Sequence, residues 1–215
     1  GIAGSGDHIV SRHLILDSHL DLGFSALQIN RDLTQPATTI RTHDPLDVLD
    51  NFGSCTVSLP ELRRGGVGIV CATVMSRLDP GDRATRTGMY TQAQTHGVGR
   101  GHLAYYQALE RLGHVEMIHT SQQLDDVETR WREALNRDEC PGNPIGIILS
   151  MESADPILGP DQVPEWHALG LRMVSLSHYG TSTYSHGTAT EGGLLPPARP
   201  LLRALAEAGI IVDVT

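Results

Sequence analysis

Cysteine is scarce in this chain: three residues, Cys55, Cys71 and Cys140, among 215. So few and so scattered, they exclude a disulfide framework and a cysteine-based zinc site, which leaves histidine and carboxylate to hold any metal. Positive charge is short as well. Sixteen Lys and Arg against 25 Asp and Glu give a net charge of −9, and without a basic cluster there is no electrostatic footprint for nucleic acid. No apolar run approaches the ~20 residues a membrane-spanning helix needs, so no span is predicted. The opening Gly1-Ile2-Ala3-Gly4-Ser5-Gly6 lacks the basic start and apolar core of a secretory signal and reads as a flexible lead-in, so a cytoplasmic location is the expectation. A phosphate-binding glycine loop is missing too. Gly97-Val98-Gly99-Arg100-Gly101 follows no strand and has the spacing of neither a P-loop nor a dinucleotide fingerprint, so it reads as a helix lead-in and an open nucleotide-binding fold is disfavoured.

What is present is an ordinary globular composition, 40% apolar and 19% charged, with eleven histidines. Apolar, β-branched runs recur at 13–17, 67–74, 145–151, 172–176 and 210–214. Each is too uniformly apolar for a half-exposed antiparallel strand, so parallel buried strands are predicted. Between them lie helical patterns at 101–112 (with Leu103, Tyr106, Leu109 and Leu112 on one face), 121–136, 164–169 and 197–208. Alternation of this kind is the α/β signature, here of a TIM-type (β/α)8 barrel. Five countable strands fall short of the eight a closed barrel has. The expectation is therefore that residues 1–215 are the N-terminal portion of a single barrel domain whose remainder lies beyond 215. The polar stretches 28–59 and 79–99 read as loops over its mouth.

Leu14-Ile15-Leu16-Asp17-Ser18-His19-Leu20-Asp21 is the most informative stretch. In an extended strand, residues two apart project to one side, so His19 and Asp21 can offer a nitrogen and an oxygen to one point, as zinc or a similar ion wants. A strand running into a polar turn would look the same. Ile145-Gly146-Ile147-Ile148-Leu149-Ser150-Met151-Glu152 repeats the pattern with a carboxylate that a cation, an arginine or solvent could compensate. Arg172-Met173-Val174-Ser175-Leu176-Ser177-His178 ends in a histidine. His43, His96, His102, His114, His119 and His167 read as surface or capping residues. His186, in a loop that should overhang the mouth, is left open.

Taken in order, Leu16 to Asp21, then Leu59-Pro60-Glu61-Leu62-Arg63-Arg64-Gly65-Gly66-Val67-Gly68, Ser150-Met151-Glu152, Trp166 through His178, Gly193-Leu194 and Ala208 to Asp213, the motifs resemble the membrane (renal) dipeptidase family of zinc peptidases across nearly the whole chain. The resemblance implies a (β/α) barrel carrying two Zn2+ ions. On it, His19 and Asp21 hold the first zinc, Glu152 bridges both, and His178 contacts substrate and stabilises the tetrahedral intermediate. The activity implied is hydrolysis of dipeptides or similar small amides by a two-metal-activated hydroxide. The implied partner is a small dipeptide-like substrate, and a homodimer remains an option. The family usually has Asn at Leu20, Pro at Gly23, Gly at Ser153 and Asn at Tyr179, so the pocket wall differs. Those departures keep open a second reading, a non-catalytic family member acting as a small-molecule binding module.

Overall fold

The apolar runs stack side by side in one parallel sheet flanked by helices, the central ones with side chains to bury on both faces. The computed structural model describes residues 13–79, 81, 88–137 and 139–214. Along the chain run β1 (Ile15–Leu20), α1 (Leu22–Leu27), α2 (Ala37–Arg41), α3 (Leu46–Phe52), α4 (Leu59–Arg64), β2 (Val67–Met75), β3 (Arg77–Leu78), β4 (Gly88–Met89) and α5 (Gln92–Arg111). These are followed by β5 (Val115–Met117), α6 (Ser121–Arg137), β6 (Ile145–Glu152), α7 (Val163–Ala168), β7 (Leu171–Ser175), α8 (Ala198–Glu207) and β8 (Ile211–Asp213). The main sheet is wholly parallel, in the order β1-β2-β6-β7-β8. Short β5 pairs Ile145–Ile147 of β6, while β7 pairs Leu149–Met151, so the two share one edge of β6 opposite β2.

The five long apolar runs are the five strands of that order, an α/β part-barrel; β2 and β6 are buried as expected, whereas β1 and β8, at the sheet's edges, are exposed or half-buried, a correction to the expected burial. Three-residue β5 escaped notice because it is too short to show a pattern. The 101–112 helix in fact starts at Gln92, and the reason is local. Thr91 and Gln94 form a reciprocal capping box, Gln94 N donating to Thr91 Oγ1 at 3.2 Å and Thr91 N to Gln94 Oε1 at 3.0 Å. The glycines at 97, 99 and 101 are thus inside the helix, a correction to the lead-in reading. At Gly99, a Cβ would lie 2.9 Å from Pro156 Cβ, so the close helix approach requires glycine there. Leu112, expected on the buried face, caps the helix and is exposed. Both supposed loops also hold structure, α2 and α3 inside 28–59, and β4 and the start of α5 inside 79–99.

The core lies between sheet and helices. Leu103, Tyr106 and Leu109 of α5, Val127, Trp131 and Leu135 of α6, and Leu201 and Leu205 of α8 recur at helical spacing and are buried. Gly68 of β2 lets Trp131 pack directly against the strand: a Cβ there would sit 2.4 Å from Trp131 Cδ2. Trp131 is in turn tied by its indole N–H to Pro144 O at 2.8 Å, so it has little freedom to retreat. Gly68→Ala is therefore expected to cost about 1–3 kcal/mol by overpacking, read as a lowered thermal midpoint; an unchanged midpoint would show that the indole shifts freely. No helix among the described residues is long and apolar enough to cross a membrane.

Candidate metal centre

Parallel pairing puts every strand's carboxyl end on the same side of the sheet, which is where β1, β6 and β7 deliver their polar side chains. β1 does so irregularly. Asp17 pairs with Val70 and Leu20 with Ala72, so β1 holds one extra residue there, a bulge that re-aims the side chains around it. Asp17 Oδ1 accepts from His19 N at 3.0 Å and fastens the bulge. Asp21 then stands at the junction with α1.

His19, Asp21 and Glu152 each offer one ligand atom, all within 4.8 Å of one another, the sole such group of three among the described residues. His19 Nε2 is 3.7 Å from Asp21 Oδ1 and 3.5 Å from Glu152 Oε2. Those separations are long for hydrogen bonds. They lie slightly above the separation of two ligands on one tetrahedral zinc, which with ~2.0–2.1 Å bonds stand about 3.3–3.4 Å apart. Donor type and spacing therefore fit a divalent ion. His178, expected to touch substrate, joins through Glu152: its Nδ1 lies 2.7 Å from Glu152 Oε1.

The two carboxylates are driven in opposite directions. Burial raises the Asp21 pKa, a hydrogen bond from Thr73 opposes this, and the charge of Glu152 raises it further. Burial also acts to raise the Glu152 pKa, but the hydrogen bond from His178 and the charges of His178 and His19 outweigh it, and the carboxyl titrates below its usual value. A carboxylate whose ionisation a neighbouring carboxylate disfavours, as Glu152 does that of Asp21, gains from a cation between them.

A cavity of about 540 Å³ opens beside the cluster, lined among others by His19, Glu152, Ser177, His178, His186 and Asp213. Its far wall is the loop after β7. His186 belongs to that wall, its ring against Thr181 Oγ1 at 3.2 Å, while His178 packs edge-on against Tyr179 with ring centroids 4.8 Å apart. Buried Asp155 fixes the loop to the strand ends, accepting from Ser153 Oγ at 2.9 Å and from Leu78 N and Thr183 N at 2.8 Å. Ser153, directly after Glu152, has φ +72°, a left-handed conformation that suits glycine. Its hydroxyl bond to Asp155 offsets part of that strain. His102, expected at the surface, is fully buried on α5 and burial pushes its pKa down to about 4. Its Nδ1 accepts from Met75 N at 3.2 Å and its Nε2–H donates to Gln28 Oε1 at 2.7 Å.

Sequence reading passed over Thr73, whose hydroxyl donates to Asp21 Oδ1. The signal was present: Thr73 is the one side-chain hydroxyl in the run Val67–Met75. Asp155 carried no signal, since it lies in a loop and, Ser153 apart, the groups its carboxylate accepts from, Leu78 N and Thr183 N, belong to two distant segments.

Residues 5–215 match the model of the family described as membrane dipeptidase (peptidase family M19). No curated protein matches the chain. Among solved structures it is similar to dipeptidase AC, a metallopeptidase of family M19, with 18% identity and a TM-score of 0.62 over 94% of this chain and 57% of that one. A metallopeptidase from Rhodobacter sphaeroides, liganded with a phosphinate mimic of the dipeptide L-Ala-D-Ala, is similar at 18% identity and a TM-score of 0.62, covering 93% of this chain and 57% of its own. The chain thus spans rather more than half the length of these relatives, and likeness at such identity speaks for the fold.

Proposed function

Since the chain belongs to the membrane dipeptidase family, peptidase family M19, we propose that the protein hydrolyses the amide bond of dipeptides or similar small amides at the centre built by His19, Asp21 and Glu152. The observation that carries this is the convergence of one imidazole and two carboxylates at zinc-like spacing, beside a cavity of about 540 Å³. Zinc is the proposed metal, two ions in the complete site. Such ions supply a water of lowered pKa and polarise the scissile carbonyl.

His19 and Asp21 hold one ion. Glu152 has an oxygen toward His19 and another toward His178, a spread suited to bridging two. With Nδ1 against Glu152, His178 keeps Nε2 for substrate and is the group placed to stabilise the oxyanion that develops on attack. The phosphinate dipeptide mimic bound by the Rhodobacter relative supports a dipeptide as substrate. Ile15 and Leu16 on β1 and Ile211 on β8, the two edges of the sheet, are exposed. Such edges suit a sheet that continues, so the chain is read as the N-terminal portion of a barrel whose later strands complete the second ion's ligands.

The test is chelation. Full-length protein is expected to release free amino acids from a dipeptide panel, to lose that activity with its metal, and to recover it with about two equivalents of Zn2+. Metal-loaded protein that binds dipeptides but cleaves none would be the non-catalytic binding module instead.

A further inference from the structure

Asp21 is half-buried at a strand-to-helix junction, so its carboxylate would have several rotamers were nothing holding it. Thr73, fully buried in β2, holds it by donating Oγ1–H to Asp21 Oδ1. Thr73 is anchored in turn. Its carbonyl accepts from the Tyr106 hydroxyl at 2.7 Å, and the Tyr106 hydroxyl oxygen in turn accepts from Gly23 N at 2.8 Å. Tyr106 is fully buried and reaches in from α5. One phenol therefore grips both the strand that carries Thr73 and the backbone two residues past Asp21, using its donor and an acceptor site at once. The fit leaves no slack: a Cβ on Gly23 would stand 2.9 Å from both the Tyr106 oxygen and His102 Nδ1.

We propose that Thr73, clamped by Tyr106, is the positioning residue of the metal centre, fixing Asp21 in the orientation that faces His19 and Glu152. The inference rests on the metal reading above and adds to it a group that touches neither ion nor substrate. An oxygen that accepts from Thr73 retains further lone pairs, so the bond orients the ligand without consuming it. Outer hydrogen-bond partners of this kind are worth about 10–100-fold in metal affinity.

Thr73→Val keeps the shape and removes the donor. In the full-length protein its zinc dissociation constant, measured by competition with a chromogenic chelator, is expected to rise about 10–100-fold, and the visible bands of its cobalt(II) form to shift. Thr73→Ser, which restores a hydroxyl, is expected to return both toward wild type, a rescue that a packing role would not produce. Tyr106→Phe should weaken zinc in the same direction. Valine and wild-type proteins with equal zinc affinity and superimposable cobalt spectra would overturn the proposal and leave the metal reading standing. Wild-type protein that takes up no divalent ion would overturn both. Should the valine variant not fold, Thr73→Ala against Thr73→Ser decides by the same two readouts.

Discussion

Glutamine in place of Glu152 is expected to strip metal from the full-length protein and to lower kcat/KM for a dipeptide by at least about 10³-fold, the several kcal/mol that a metal's charge stabilisation supplies. The substitution keeps side-chain volume, and its amide can still accept from His178, so the fold should survive. What it removes is the negative charge. Glu152 is the carboxylate both histidines face, at 3.5 Å from His19 Nε2 and 2.7 Å from His178 Nδ1, and its side chain is only 12% exposed. No other group among the described residues that could hold a metal stands within ligand distance of both His19 and Asp21, so none of them can take its place. Metal content by elemental analysis and steady-state rates on the same preparation are the measurements. Near-normal zinc with near-normal turnover would remove Glu152 from the centre.

The second large effect is at His178. His178→Ala is expected to lower kcat by about 10²–10³-fold, the loss that follows deletion of one oxyanion donor. Metal should remain bound once zinc is supplied in excess, because loss of a group outside the coordination shell typically costs about 10–100-fold in affinity. The contact with Glu152 makes this separation necessary to measure: part of any loss at limiting zinc comes from a loosened Glu152. Rates at saturating zinc isolate the substrate role. Wild-type kcat under those conditions would exclude His178 from the chemistry, and zinc that cannot be restored at any concentration would make it a ligand.

Much of this was legible in the chain itself. Long apolar runs specify parallel strands by their own composition, because no half-exposed strand tolerates such uniform burial, and β2 and β6 show that burial. A polar residue that ends such a run must lie at the mouth, so His19, Glu152 and His178 could be placed from order alone. The start of α5 at Gln92 was written in its Thr91/Gln94 capping box and was missed because glycines at 97, 99 and 101 mask helical periodicity.

Tertiary structure alone decided the rest. Strand order and register set the distances between residues 19, 21 and 152, since separations of a few ångströms depend on pairing across more than 130 positions of chain and on a one-residue bulge. The buried state of His102 and the grip of Tyr106 on Thr73 and Gly23 likewise arise where α5 packs across the sheet. A side chain's sequence neighbours say which groups it carries, whereas burial and hydrogen-bond partners are properties of the assembled layers. Composition and periodicity therefore specified the sheet and the residues at its mouth, and packing specified which of them meet and what holds them in place.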